Sequence, residues 1–262
     1  MEWVLPDRVI DEGDPRRERA FLRSSEHVRA RYLRCRSAWS SHLERSRAAI
    51  ERGMGRCAHR GSVFILGGGM LHDVPLDRLA SEFSRVVIVD VVHLWRSVLA
   101  ARRYGNVEQL CLDVSGYSSG DAVKGRAPSV GVPVDLFELG GADFVVSLNL
   151  LSQLAVIPRL AEGSKMGEEE FDALGRQMVA NHLSVLDRLG GEVTLITDSE
   201  CWEVYPESGR RSAKEVLFGM DVGPFEEEWD WQIAPIPEAA MDHHVIHRVG
   251  VRHWTGSRRG KI

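Results

Sequence analysis

The sequence predicts an α/β protein with a doubly wound, mostly parallel sheet, and three observations support this. Short apolar runs, each able to be buried on both faces of a sheet, alternate with segments of helical period. The first of these runs, residues 63–66, enters the three consecutive glycines 67–69, where a ligand can approach the main chain without meeting a Cβ. Near the C-terminus, the runs 228–234 and 244–254 indicate an antiparallel hairpin. Five earlier runs and this hairpin together predict seven strands.

Composition limits the class of protein. At 262 residues and 44% hydrophobic content, the chain can form one large domain with an appendage. A formal net charge of −5 does not indicate a general nucleic-acid binder. No apolar run approaches the roughly 20 residues that span a bilayer, and the N-terminus lacks the basic and then apolar layout of a secretion signal. We therefore expect a cytoplasmic protein.

Metal and disulfide sites are not expected. The four cysteines are far apart and form no CxxC pair, which disfavours a zinc site or a disulfide framework. The cluster of His243, His244 and His247 with Asp242 raises a metal hypothesis. However, these residues belong to a strand-like run, and a strand directs neighbouring side chains to opposite faces.

Residues 1–58 predict a helical extension or cap. Residues 1–14 are acidic and indicate an irregular arm, whereas apolar positions from 15 to about 56 keep a rough 3.6-residue period among many arginines. Two interpretations remain open. These helices form a lid that grips a substrate, or they pack on the sheet as solvated amphipathic helices and contribute to a homodimer.

Residues 59–254 predict the nucleotide-binding domain. After the glycine turn, a helix is expected over 73–83 and a buried strand over 84–92, which contains Asp90. The next strand, 106–114, contains Asp113 near its end. Since the carboxyl ends of parallel strands meet at one edge of a sheet, both acids are expected beside the glycine turn. A carboxylate at the position of Asp90 can accept hydrogen bonds from ribose hydroxyls.

The remaining predicted elements continue the alternation. They are a loop excursion over 115–139, a strand over 142–149, an amphipathic helix over 167–189, a strand over 192–198, the terminal hairpin, and a basic tail over 255–262.

Over residues 60–254 this arrangement resembles the class I S-adenosylmethionine-dependent methyltransferases. Residues 63–69 are similar to the glycine-rich first motif, which packs against the methionine part of the cofactor. In such a site Asp90 would hold both ribose hydroxyls and Asp113 would contact the adenine amino group, with Val114 near the ring. The resemblance implies S-adenosyl-L-methionine as cofactor, with contacts from Leu66, Gly67, Gly68, Gly69, Asp90, Val91, Asp113, Val114 and Asn149.

The sequence departs from this family at two positions. The family commonly has an acid two residues before its first glycine, where this chain has Ile65, and Leu71 replaces the third glycine of GxGxG. A nicotinamide dinucleotide is disfavoured because GxGxxG would need glycine at His72. The absence of the acid at the methionine end keeps open an alternative reaction, the transfer or cyclisation of the cofactor's aminocarboxypropyl group.

Asn149 and His72 are the candidate catalytic residues. Methyl transfer asks mainly for alignment, because the sulfonium is already activated. Asn149 ends a strand at the active edge and could contact cofactor or substrate. His72 follows the glycine turn and could face the methionine carboxylate or act as a base. Asp73, beside it, is expected to cap the following helix.

Gln153, Trp202 and Tyr205 are the candidate substrate contacts, although Gln153 could face solvent. Trp231 could line an aromatic substrate pocket together with Trp202 and Tyr205, and the three rings could instead cover a cationic sulfonium or fill the core. The expected function is a methyltransferase acting on a small-molecule metabolite. The alternatives are the aminocarboxypropyl reaction and a non-catalytic binding protein with the same fold. The chain has neither a basic groove nor the Pro-Pro-Tyr type of fourth motif, so a nucleic-acid substrate is not expected.

Overall fold

The computed structural model describes residues 8–9, 15–118, 129–155 and 166–257, and of residues 8–9 and 15–20 only the backbone. The helices are α1 (Pro15–Arg34), α2 (Arg36–Arg56), α3 (Leu76–Glu82), α4 (Trp95–Ala101), α5 (Asp135–Glu138), α6 (Leu151–Leu154) and α7 (Glu168–Leu189). The strands are β1 (Arg8–Val9), β2 (Ser62–Leu66), β3 (Arg85–Asp90), β4 (Val107–Cys111), β5 (Tyr117–Ser118), β6 (Ser129–Val130), β7 (Phe144–Leu148), β8 (Glu192–Val204), β9 (Arg211–Glu215), β10 (Glu227–Ala234) and β11 (His244–Thr255).

The main sheet has the order β1-β4-β3-β2-β7-β8-β11-β10, with β9 paired to β8. Within this sheet, the neighbouring strands β4, β3, β2, β7 and β8 are parallel to one another. Strands β11 and β10 continue the sheet in antiparallel pairing. The chain therefore moves outward from β2 to β4 and then returns to β7 on the other side of β2. A ligand crevice is expected at such a switch point, beyond the carboxyl ends of the strands. The predicted fold class is confirmed.

The structure adds strands that the sequence pattern did not predict. Within the arm expected to be irregular, Arg8–Val9 pairs in parallel with β4. Strand β8 continues past the predicted end at residue 198, because β11 pairs with it along its whole length and β9 pairs with its second half. In the predicted loop excursion, β5 and β6 form a small antiparallel pair. Residues 119–128 of that excursion and residues 258–262 of the basic tail lie outside the described residues.

Helix α2 is part of the central core. Its buried side chains include Trp39, Ile50 and Met54, which belong to the same apolar cluster as residues of β2, β7 and β10. The indole N–H of Trp39 donates to the main-chain oxygen of Ile233 in β10 at 2.9 Å. Full burial of a side chain the size of Ile50 contributes about 1.5–3 kcal/mol, so α2 is held to the sheet by its apolar face. Among the described residues, no helix is long and apolar enough to cross a membrane.

Candidate active site

The glycine turn follows β2 and has a backbone that only glycine adopts without strain. Gly67 has φ +86° and Gly69 has φ +46°. A Cβ on Gly67 would lie 2.6 Å from the main-chain oxygen of Leu148. Leu71, at the position of the third glycine in a GxGxG pattern, also has a positive φ of 62°. The turn thus keeps the left-handed conformation at a non-glycine residue, at a cost on the order of 1 kcal/mol.

Asp90 ties the glycine turn to the end of β3. Its Oδ2 accepts a hydrogen bond from the Gly69 N–H at 2.7 Å, and its Oδ1 accepts one from the Val91 N–H at 2.8 Å. Burial raises the pKa of Asp90, while His93 and these backbone donors act in the opposite direction. A carboxylate can accept about four hydrogen bonds, and the backbone of Val92 is a third donor to Asp90. Asp90 can therefore support the turn and also bind a hydroxyl group.

A cavity of about 440 Å³ lies at the switch point beyond the carboxyl ends of β2, β3 and β7, within the size range of small-molecule sites. The residues of its first part, here called the glycine-turn half, are Gly67, Gly68, Gly69, His72, Asp73, Asp90, Val91, Asp113, Val114, Asn149 and Gln153. The structure therefore brings the predicted cofactor residues to one cavity, together with the candidates His72 and Gln153. Leu66 does not line the cavity, because its side chain is fully buried within the sheet.

Asp73 lies in the cavity wall and does not cap α3. The helix begins at Leu76 after Pro75 and has no side-chain cap, so the predicted capping role is wrong. Asp73 instead accepts a hydrogen bond on Oδ2 from the Asn149 Nδ2 at 3.3 Å, and burial raises the pKa of its carboxyl group to about 6. Asn149 has φ +51°, and its buried Oδ1 has no hydrogen-bond partner. The pair presents two acceptor groups beside the glycine turn.

The other part of the cavity, here called the aromatic compartment, is formed by Trp39, His42, Asp198, Trp231 and His247. The rings of His42 and Trp231 stack at 3.9 Å with an interplanar angle of 5°. The Trp39 ring meets Trp231 edge-on at 4.8 Å. The indole N–H of Trp231 has no hydrogen-bond partner, although the residue is only 9% exposed.

His42 is a neutral hydrogen-bond donor. Its Nδ1 accepts a hydrogen bond from the Trp229 indole N–H at 3.2 Å, so this nitrogen carries no proton. Burial lowers the pKa of His42 to about 3. A neutral imidazole with an unprotonated Nδ1 carries its proton on Nε2. His42 therefore faces its surroundings with one N–H donor.

Asp198 and His247 form a buried ion pair in the aromatic compartment. His247 Nδ1 lies 2.8 Å from Asp198 Oδ2, and the Ser152 hydroxyl donates to Asp198 Oδ1 at 2.6 Å. Burial works against both charges, but the hydrogen bond from His247 holds the pKa of Asp198 below its usual value. For the same reason, Asp198 raises the pKa of His247 to about 9, with Cys201 contributing. Both groups are charged at neutral pH.

Helix α1 closes one side of the cavity. Phe21, Ser25 and Val28 lie among the lining residues. The helix is tied to the connection between β10 and β11 by Glu238, whose carboxylate accepts two hydrogen bonds from Arg34, at 2.6 and 2.8 Å, and a longer one from Arg31. An element of the N-terminal extension is thus a wall of the site.

The structure places Trp202 and Tyr205 outside the cavity. Both lie in or just after the extended second half of β8, beyond the sheet edge at which the cavity opens. The Trp202 indole donates to Glu200 at 2.9 Å, and the Tyr205 hydroxyl donates to Glu203 at 2.8 Å. Their partners are therefore neighbours on the same strand.

The three histidines of the metal hypothesis have three different partners, and His244 accepts a hydrogen bond on Nδ1 from the Ile236 N–H at 2.9 Å. His243 pairs with Asp242, whereas His247 pairs with Asp198 in the cavity. Within the described part of the chain, no group of three or more histidines, cysteines and acids has the arrangement of a metal site.

Of the aromatic compartment, only Trp231 was expected from the sequence to line a substrate pocket, whereas Trp39, His42 and Asp198 were missed. For Asp198 a signal existed: it ends the apolar run 192–198, as Asp90 and Asp113 end or follow theirs. For Trp39 and His42 no local signal exists, because they reach Trp231 only through the packing of α2 on β10.

Comparison of the sequence with protein-family models and with curated proteins finds no significant match. Among solved structures, the chain is similar to the 1,6-didemethyltoxoflavin-N1-methyltransferase of Burkholderia thailandensis, with 15% identity over 94% of this chain and 93% of that one and a TM-score of 0.43. It is also similar to the N-methyltransferase NodS of Bradyrhizobium japonicum WM9, with 12% identity over 79% and 85% of the two chains and a TM-score of 0.38. The protein PH0226 of Pyrococcus horikoshii OT3 follows, with 14% identity over 82% and 91% and a TM-score of 0.38. Likenesses this distant carry no argument about activity.

Proposed function

We propose that the protein is an S-adenosylmethionine-dependent methyltransferase that acts on a small molecule. One observation supports this above the others. The glycine turn, Asp90 and Asp113 meet in a single cavity at the switch point of the sheet, and that cavity continues into a second, aromatic compartment. A transferase needs two adjoining sites of this kind, one for the donor and one for the acceptor.

The glycine-turn half fits the adenosyl part of the cofactor. The turn gives a surface without Cβ atoms at Gly67 and Gly69, and Asp90 keeps acceptor capacity for a ribose hydroxyl after binding the backbone N–H groups of Gly69, Val91 and Val92. Asp113 at the end of the neighbouring strand suits an adenine amino group. The side chains of Val91 and Val114 supply apolar contact beside it.

Asp73 and Asn149 suit the methionine end of the cofactor. The family's acid is missing at Ile65, whose side chain is fully buried in the core. The Asp73 carboxylate and the unpartnered Oδ1 of Asn149 together offer acceptors for an ammonium group. An ammonium held there anchors the aminocarboxypropyl arm, which favours methyl transfer over the alternative reaction.

When bound, the cofactor supplies a methyl group already activated on a sulfonium. The residues of this chain then have to orient the acceptor and exclude water. His72 is a candidate for accepting a proton, because burial and the nearby Arg36 and Arg47 lower the pKa of its imidazole and keep it neutral at pH 7. Its ring stacks on Tyr32 at 4.1 Å, which fixes its orientation at the cavity wall.

The proposal is tested by calorimetric titration with S-adenosylmethionine and S-adenosylhomocysteine. We expect binding of both, and a loss of about 1–3 kcal/mol in Asp90→Asn, the usual value for a charged hydrogen bond. Asp230→Asn is the matched control, since Asp230 is an exposed acid outside the cavity. A circular dichroism melt of each variant separates lost binding from lost folding, because Asp90 also supports the turn.

Two results would contradict the proposal. Absence of binding at millimolar cofactor removes both enzymatic readings and leaves the non-catalytic one. Formation of methylthioadenosine, detected by mass spectrometry, favours transfer or cyclisation of the aminocarboxypropyl group. Equal affinity of Asp90→Asn and the parent protein refutes the assignment of that carboxylate to the ribose.

A further inference from the structure

The aromatic compartment is the half of the cavity that an adenosyl cofactor does not need. Its walls are flat: Trp231 and His42 form one stacked pair, and Trp39 stands nearly perpendicular to Trp231 at 81°. Aromatic faces and edges of this kind bind flat aromatic ligands by stacking and edge contacts.

Two hydrogen-bond donors of this compartment have no acceptor assigned. The Trp231 indole N–H is buried and unpartnered. The second donor is the Nε2–H of His42, which carries the imidazole proton because Nδ1 accepts a hydrogen bond from Trp229. A buried donor without a partner is unfavourable, and a ligand oxygen or nitrogen with a free lone pair would remove that penalty.

The carboxylate of this compartment is already engaged. Asp198 uses one oxygen for the Ser152 hydroxyl and the other for His247, and the charged imidazole balances its charge. A cationic ligand in this half would therefore find no unbalanced carboxylate. The other acids that line the cavity, Asp73, Asp90 and Asp113, belong to the glycine-turn half.

We infer that the aromatic compartment binds the methyl acceptor and that this acceptor is a flat aromatic or heteroaromatic molecule, uncharged or anionic, with a hydrogen-bond-accepting oxygen or nitrogen facing Trp231 and His42. The inference rests on the proposed function. It adds the substrate class and the residues that select it.

The test uses the whole 262-residue chain, saturated with S-adenosylhomocysteine, and three probes. Quinolin-4-ol is flat and carries an acceptor, tryptamine is aromatic but cationic, and cyclohexanecarboxamide has an acceptor but is not flat. Titrations followed by ligand-observed NMR should rank quinolin-4-ol first, by about 10-fold or more, because it alone meets both requirements.

Two variants locate the binding site. Trp231→Phe keeps an aromatic ring and removes the N–H, and His42→Phe keeps the stack and removes the Nε2 donor. Each should weaken quinolin-4-ol binding by about 3- to 10-fold, the usual effect of one hydrogen bond, and leave the affinity for S-adenosylhomocysteine unchanged. Trp254→Phe is the matched control, because Trp254 lies near the end of β11 against the Arg252 guanidinium, at 4.8 Å, and does not line the cavity.

A direct measurement on the parent protein does not depend on the folding of variants. In a ¹⁵N-labelled sample, the indole N–H signal of Trp231 should shift on addition of quinolin-4-ol, while that of Trp254 stays in place. The inference is overturned if tryptamine binds as tightly as quinolin-4-ol, if no probe binds at millimolar concentration, or if the Trp231 signal does not move. Failure of the protein to bind S-adenosylhomocysteine at all would instead overturn the proposed function.

Discussion

The two halves of the cavity are built in different ways from the chain. Most of the glycine-turn half is local: the three consecutive glycines, the acid at the end of β3 and the acid just beyond β4 are placed by one βαβαβ succession, and only Asn149 and Gln153 come from the segment after β7. The aromatic compartment is assembled from α2, β8, β10 and β11, so His42 and Trp231 lie far apart in sequence. A locally built half can be predicted from spacing, whereas the other depends on packing of the whole domain.

The halves also differ in how their charges are balanced. In the glycine-turn half, Asp73 accepts hydrogen bonds from the Asn149 side chain and from its own backbone, and the buried Oδ1 of Asn149 is unpartnered. In the aromatic compartment, Asp198 is matched by His247 and Ser152. The first half is suited to a cationic group, and the second to an uncharged or anionic one.

Gly67→Ala should break the glycine-turn half and give the largest effect. The new Cβ would meet the Leu148 main-chain oxygen at 2.6 Å, and alanine would be strained at φ +86°. We expect a loss of about 3–4 kcal/mol in the free energy of unfolding, from backbone strain and overpacking together. Binding of S-adenosylhomocysteine should fall below detection. Urea unfolding and calorimetric titration measure the two effects.

The matched control is Gly105→Ala. A Cβ on Gly105 would have no neighbour within 4 Å, and its φ is not positive, so stability should change by less than about 0.5 kcal/mol. If Gly67→Ala binds the cofactor as the parent protein does, the turn is not the cofactor contact.

Asp198→Asn should break the aromatic compartment and leave the glycine-turn half intact. The variant removes the charge that keeps His247 protonated, and the buried imidazole then becomes neutral. Removing one partner of a buried pair costs about 3–5 kcal/mol, and loss of the His247 proton reduces this to about 2–3 kcal/mol. Chemical denaturation gives the change, and calorimetric titration should show unchanged binding of S-adenosylhomocysteine.

The effect of Asp198→Asn should depend on pH. The pKa of His247 is raised from 6.5 to about 9 in the folded protein. The contribution of protonated His247 to the free energy of unfolding is therefore complete below its ordinary pKa and is lost as the pH rises through about 9. The destabilisation should be larger at about pH 6 than at about pH 10, and NMR titration should find a lowered His247 pKa in the variant. Asp230→Asn, which breaks the exposed pair with Arg248, should cost less than about 1 kcal/mol.

The elements of the fold also differ in how far the sequence predicts them. The position of Asp90 and Asp113 beside the glycine turn was predictable, because the carboxyl ends of parallel strands lie at the same edge of a sheet. The same rule applies to Asp198. The hairpin was predictable from two apolar runs with a short connection. The added pairing of β9 and the extension of β8 were not, because the outer half of β8 is largely polar and partly exposed.

Roles that depend on where a helix begins or how far a strand continues could not be predicted. Asp73 has the sequence position of a cap, but α3 begins two residues later than a cap at Asp73 requires, so its carboxylate turns to Asn149 instead. Trp202 and Tyr205 have the composition of a substrate pocket. They lie outside the cavity because β8 continues beyond it.

Glu238→Gln weakens the attachment of the α1 wall and should have the smallest effect. The Arg34 guanidinium holds the pKa of Glu238 at about 2, so the ion pairs persist above its ordinary pKa of 4.5 and are lost only as the pH falls toward 2. Since Arg34 is exposed, the variant should lose less than about 1 kcal/mol of stability. Amide hydrogen exchange in α1 should become up to about 5-fold faster.

Glu26→Gln provides the control for this wall, because Glu26 pairs with Arg29 inside α1 and does not connect the helix to the rest of the protein. If only Glu238→Gln accelerates exchange, and it also speeds the dissociation of quinolin-4-ol more than that of S-adenosylhomocysteine, α1 acts as a lid over the aromatic compartment. Equal exchange in both variants would show that α1 is held mainly by its apolar contacts, as α2 is. The exchange and dissociation rates of these two variants thus distinguish a lid from a fixed wall.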